Sequence, residues 1–231
     1  MKKTLLFTVT LWMLSLPVMA QDVTALVNKV KAKLDLVKDY KAVGRLKTDV
    51  AFLKIPVSKV NVFYKNPDRF KIKKDGGISL LPKGGVSINL GSLITSGQFV
   101  AVPAGEATIG SSQYTIVKLL PLNENGDVVL TTMYIDDKNL LIKKATTTTK
   151  ENGTYEMEMT YGKYASFGLP DKVVFSFNTK DYKLPKGVTF EYDSGEKPRS
   201  FEDKAKNKKG KVEIIYNSYS INQGIPDSVF E

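Results

Sequence analysis

Cysteine and histidine are both absent from the 231 residues. The first absence excludes disulfides and thiolate nucleophiles. Together they exclude zinc or copper sites built on thiolate or imidazole, and Ser-His or Cys-His nucleophile pairs. No metal or cofactor is expected. Long apolar runs are scarce as well. The one clear run, Leu5 to Leu16, follows Lys2 and Lys3 and leads to Val18-Met19-Ala20. That is the pattern of a cleavable export leader, and it falls short of the roughly 18 apolar residues a membrane span needs.

Residues 1–20 are therefore expected to be a signal peptide, and 21–231 a single domain. Gln21 rather than cysteine would follow the cut, so no bacterial lipid anchor is expected. Taking the leader's two lysines from 34 basic residues leaves 32 against 24 acidic, a net charge of +8 on 211 residues. An exported chain of this size without disulfides points to a soluble protein of a bacterial periplasm. Export makes nucleic acid an improbable partner for the basic surface, and anionic lipid fits better.

What is present is patterned. Val23, Leu26, Val27, Val30, Leu34 and Val37 recur at helical spacing with lysines between them, and Asp22 is placed to cap the helix. After Tyr40 the period becomes two. Strands are expected at 41–54, 57–65, 69–74, 97–102, 112–120, 127–135, 139–149, 153–161, 172–179 and 211–220. Asn66-Pro67-Asp68, Asn125-Gly126-Asp127, Asp136–Asn139 and Asn152-Gly153 are suited to turns. Consecutive hairpins imply a meander. The fold class is α+β: a strongly curved antiparallel sheet with an N-terminal helix and short segments covering its concave face.

Alternation then nominates the side chains that line this interior. Val60, Val62 and Tyr64 face in, opposite Lys59, Asn61, Phe63 and Lys65. Phe70 and Ile72, then Tyr155, Met157 and Met159, then Phe175 and Phe177 continue the set. Methionines beside tyrosines make an adaptable wall for a ligand, although the same pattern suits an ordinary packed core. Between Gly76 and Gly97, the apolar residues Leu90, Leu93 and Ile94 fall among glycines and a proline, as in a cover that can lift.

Catalytic patterns fare badly. Glu156 and Glu158 would stand about 6.8 Å apart on one strand face, but that face is the solvent side. Gly105 to Gly110 has phosphate-loop glycine spacing, yet Ser111-Ser112 stand where Lys-Ser/Thr is required. Lys204, Lys206, Lys208, Lys209 and Lys211 suit a solvated loop. The chain does not read as an enzyme.

Four stretches resemble the LolA-like lipoprotein-sorting proteins, most nearly their Bacteroidetes branch. They are Tyr64 to Phe70, Asp136 to Ile142, Gly153 to Tyr164, and Tyr216 to Asp227. The resemblance implies an incomplete β-barrel with a helical lid whose hollow shelters acyl chains. The cargo would be an acylated lipoprotein or phospholipid, taken from an inner-membrane release complex and passed to an outer-membrane acceptor. A sensor of envelope stress or mislocalised lipoproteins on the same fold is the alternative. The family's lid-contacting arginine corresponds here to Asn66, with Arg69 or Arg45 as candidate substitutes.

Overall fold

The computed structural model describes residues 23–49, 56–74, 94, 99–123, 126–151, 153–178 and 209–231. The leader, Asp22, Leu90, Leu93 and Lys204 to Lys208 lie outside the described residues. Helix α1 (Val23–Leu34) buries Val23, Leu26, Val27 and Val30, a stripe worth up to about 1.5–3 kcal/mol per side chain. The helix ends before Val37, which periodicity had assigned to it. Val37 is buried in the turn that leads into the sheet. No helix among the described residues is long and apolar enough to cross a membrane.

Ten strands follow: β1 (Asp39–Asp49), β2 (Ser58–Lys65), β3 (Arg69–Lys74), β4 (Phe99–Ile109), β5 (Ser112–Pro121), β6 (Val128–Asp136), β7 (Leu141–Thr149), β8 (Thr154–Thr160), β9 (Lys172–Asn178) and β10 (Lys209–Ile221). They form one antiparallel sheet, ordered β3-β2-β1-β10-β9-β8-β7-β6-β5-β4, that is not closed into a barrel. The expected meander is thus two meanders, β1–β3 and β4–β10, joined where β1 pairs with β10. Its two edges, β3 and β4, are consecutive among the described strands.

Strand β4 runs well past its expected end at residue 102, through Pro103 and Gly105. Both sit at a register shift between Pro103 and Glu106, with Gly105 at φ 89°. An edge strand accommodates such residues because proline's missing N–H faces no partner there. The Gly105–Gly110 spacing therefore belongs to a bulged strand and the turn after it, not to a phosphate loop. Lys209 and Lys211, read as part of a basic loop, belong to β10.

The alternation holds across the sheet. On β2, Val60, Val62 and Tyr64 are buried, while Phe63 on the other face lies under the Lys41 and Lys73 ammonium groups at 5.9 and 5.5 Å from its centroid. Glu156 is on the outer face, paired with Lys144 at 2.5 Å, and Glu158 beside it is exposed. The core occupies the inner face: α1 on one side, and Leu46, Val117, Leu119, Met133, Ile135 and Ile214 among its fully buried members on the other.

Candidate functional site

The ten inward residues nominated from sequence form two strips. On β2 and β3, Val62 stands opposite Ile72 and Tyr64 opposite Phe70. On β8 and β9, Tyr155 stands opposite Phe177 and Met157 opposite Phe175, while Met159 faces Val173. Strands β1 and β10 separate the strips. All ten belong to or pack against one apolar cluster, with Phe70 and Ile72 partly exposed and the others buried. Ile94, the described member of the expected cover, is completely buried in the same cluster.

Tyr64, Phe70 and Met159 also line a cavity of about 80 Å³. It lies at the end of the sheet where β1, β3, β7 and β9 begin and β2, β8 and β10 finish. Its remaining wall comes from Leu34 at the end of the helix and Val37 after it, from Tyr40, Ile142, Tyr161 and Val173, and from Gly168 to Pro170. Tyr216 and Tyr219 of β10 complete it. Gly168 has φ +69°, and a Cβ there would come within 2.9 Å of the Leu34 side chain. This glycine lets the 3₁₀ turn Ala165–Phe167 close against the helix end.

Sequence reasoning missed most of this wall, for a local reason. Strict alternation places Tyr216 and Tyr219, three apart, on opposite faces of β10. A bulge against Val43 and Gly44 adds one residue to β10, so Tyr216 pairs with Gly44 and Tyr219 with Ala42. Both rings then turn inward over two of the smallest side chains in β1. Their centroids are 5.0 Å apart, and Tyr219 also contacts Tyr40 at 5.3 Å and Tyr164 at 4.9 Å. Gly44 is required at the bulge, since a Cβ would sit 2.6 Å from the Ile215 carbonyl oxygen.

The four sequence stretches that carried the family resemblance meet here. Tyr64 and Phe70 line the cavity, and Lys65 and Arg69 between them bind Asp227 at 2.6 and 2.8 Å. Hydrogen bonding from Lys65, with Arg69 beside it, holds the Asp227 carboxyl below its ordinary range. Arg69 is thereby engaged with the C-terminal segment, and Arg45 is exposed on the outer face. In the stretch from Asp136, the Asn139 carbonyl accepts from Lys33 of α1 at 2.6 Å.

Asn66 itself reaches the helix end. Its Nδ2 donates to Asp35 Oδ1 at 3.3 Å, and the other Asp35 oxygen pairs with Lys31 at 2.6 Å. The contact is neutral on one side and long. Asn66→Arg should make it charge-assisted and raise Tm by about 2–4 °C, the equivalent of roughly 1 kcal/mol. An unchanged melting curve would show the guanidinium left in solvent.

Burial pushes the pKa values of Tyr40, Tyr161, Tyr216 and Tyr219 upward, so these phenols are neutral at physiological pH. Tyr219 donates to the Pro170 carbonyl at 2.7 Å and Tyr161 to that of Ile142 at 2.9 Å. No charged side chain is among the described residues lining the cavity, and no cluster of acidic residues among the described residues could hold a metal. The arrangement can enclose apolar matter and offer it a few neutral hydrogen bonds.

No protein-family model matches the chain, and no curated protein matches its sequence. Solved structures do match its shape. A DUF1329 family protein from Desulfovibrio piger superposes with TM-score 0.54 at 10% identity, over 90% of this chain and 97% of that one. A LolA superfamily protein from Nitrosomonas europaea gives 0.56 at 10% identity, over 89% and 97%. A domain assigned to outer membrane lipoprotein sorting from Vibrio parahaemolyticus gives 0.52 at 8%, over 90% and 95%. The chain thus shares the fold of these structures, an incomplete barrel with an N-terminal helix.

Proposed function

We propose that this protein is a periplasmic carrier that shelters the acyl chains of lipoproteins or other lipids inside its curved sheet, for transfer towards the outer membrane. The supporting observation is the continuous apolar strip running from the tyrosine-lined cavity along Met159, Met157, Phe175 and Phe177. Similarity in fold to a lipoprotein-sorting domain supports the same reading.

The cavity of about 80 Å³ is well below the roughly 300–1,000 Å³ of ordinary ligand pockets. Cargo must therefore take the place of side chains that fill the interior when it is empty. Ile94, buried against the core from the Gly76–Gly97 segment, is the described residue best placed to be displaced, and Leu90 and Leu93 are proposed to act with it. Each sheltered methylene is worth about 0.8 kcal/mol, enough in sum for an acyl chain to drive that exchange. Refilling by the protein's own side chains would in turn promote release. An inner-membrane release complex and an outer-membrane acceptor are the partners this role requires.

The test is native mass spectrometry with lipid extraction on protein purified from its own periplasm without detergent. Co-purifying acylated lipoprotein or phospholipid is expected. Ile72→Glu should abolish it, because Ile72 belongs to the second apolar strip of the same interior, on β2 and β3, yet sits partly exposed on an edge strand where a charge can be tolerated. A clean apo mass from protein that also refuses an acylated peptide would sink the carrier reading.

A further inference from the structure

Two of the tyrosines that line the cavity make no hydroxyl hydrogen bond within the described fold. Among the described residues, neither the Tyr40 nor the Tyr216 hydroxyl has a hydrogen-bond partner, whereas Tyr219 and Tyr161 are both satisfied by backbone carbonyls. Tyr40 is only 8% exposed, Tyr216 is half-buried, and both residues line the cavity. A buried hydroxyl without a partner costs on the order of 1–3 kcal/mol. Phenylalanine would fill the same space without that cost. We infer that Tyr40 and Tyr216 bind the ester carbonyl oxygens of an acylated cargo, fixing the glyceryl end of the lipid at this end of the sheet while its chains extend along the Met159–Phe177 strip.

This inference rests on the carrier reading and gives it a polarity. The cavity of about 80 Å³ is small, which suits an ester group with its first methylenes and not a chain. Its chemistry selects a neutral acceptor. No cationic side chain among the described residues lines it to hold a phosphate, and a quaternary ammonium accepts no hydrogen bond and would leave both hydroxyls unsatisfied. Both phenols keep their protons because burial raises their pKa, so each can donate.

The geometry supports a fixed site. Tyr40 is held between Tyr64 and Tyr219, at 5.3 Å from each centroid. Tyr216 packs on Tyr219, and its backbone N–H donates to the Asp171 carbonyl at 2.8 Å. The strip leads away from this cavity along β8 and β9 towards the opposite end of the sheet. Every interruption in the described chain after Val23 leaves from that opposite end.

The experiment compares ester-linked lipids with ether-linked counterparts of equal chain length, which lack only the carbonyls. Affinities are read by displacement of an apolar fluorophore. One pair is a diacylglyceryl lipopeptide and its dialkyl form; the other is a phosphatidylethanolamine and its dialkyl form. The full chain without its leader should prefer the ester by about tenfold or more in at least one pair, and the pair that shows it identifies the source of the glyceride. In Tyr40→Phe/Tyr216→Phe the ester-to-ether ratio should fall towards one, while Tm holds or rises because no protein hydrogen bond is lost. Equal affinity for ester and ether, or a preference that survives the double substitution, overturns ester recognition and leaves the carrier reading standing. Binding of none of the four lipids overturns both.

Discussion

Above about pH 11 the protein should unfold in a single steep transition, because its fold withholds tyrosine protons from solvent. Tyr40, Tyr161, Tyr216 and Tyr219 all have pKa values raised above the ordinary 10.0, chiefly by burial. Below pH 10 these phenols are protonated in both states and contribute no pH dependence. Above it, the unfolded chain releases the protons and the folded chain keeps them, so stability falls as pH rises. Each retained proton is worth about 1.4 kcal/mol per pH unit, and four together approach roughly 5 kcal/mol per unit.

Lys33 and Lys74 act in the opposite direction, since burial lowers their pKa below 10.5. Their effect ends once the unfolded lysines have also lost their protons. The steep fall therefore begins just above that point. Against a typical stability of about 5–15 kcal/mol, one to three pH units suffice. Tyrosinate absorbance and circular dichroism, followed together against pH, provide the check: these four phenols should ionise in step with loss of structure. Complete ionisation near pH 10 in a folded protein would show that the cavity wall is open to solvent.

The same tyrosines mark what the sequence could and could not disclose. Helix α1 and ten strands were readable because each buries one face, so valines and aromatics alternate with lysines and glutamates at the right period. Face, however, is all that alternation reports. It does not say which strand lies beside which, and the pairing of β1 with β10, between chain segments some 180 residues apart, leaves no local trace. The second half of β4 was hidden by Pro103 and Gly105, which elsewhere signal a loop and here occupy a bulged edge.

The candidate site was only partly legible for the same reason. Tyr64, Phe70 and Met159 reach the cavity as plain inward residues of regular strands. Tyr40 precedes the first alternating run, and Tyr216 with Tyr219 depends on one inserted residue in β10 that no periodicity announces. The stretch Tyr216 to Asp227, noticed for its family resemblance, has a physical explanation in the structure. It supplies two cavity tyrosines, then Asn222, whose side chain bonds the Leu36 carbonyl and the Lys38 N–H, and then Asp227 for Lys65 and Arg69.

That stretch depends on Asp39, and Asp39→Ala should cost about 3 kcal/mol, a fall in Tm of roughly 6–12 °C. The carboxylate is 8% exposed, and its partners among the described residues are main-chain N–H groups: Gln223 at 3.1 Å and Gly224 at 3.1 and 3.2 Å on its two oxygens. Gly224 adopts φ +80° to bring its N–H round. Alanine removes several charge-assisted bonds at once, which is why the loss exceeds that of an ordinary neutral hydrogen bond. Asp39→Asn keeps one acceptor oxygen and should lose only about a third as much. Because the clasp anchors buried Ile225 and the residues just after Tyr219, limited proteolysis should cut the alanine variant after residue 221 well before the rest of the sheet opens. Equal protease resistance and an unchanged Tm in Asp39→Ala would mean that Ile225 and the Asp227 ion pairs hold the C-terminal segment by themselves.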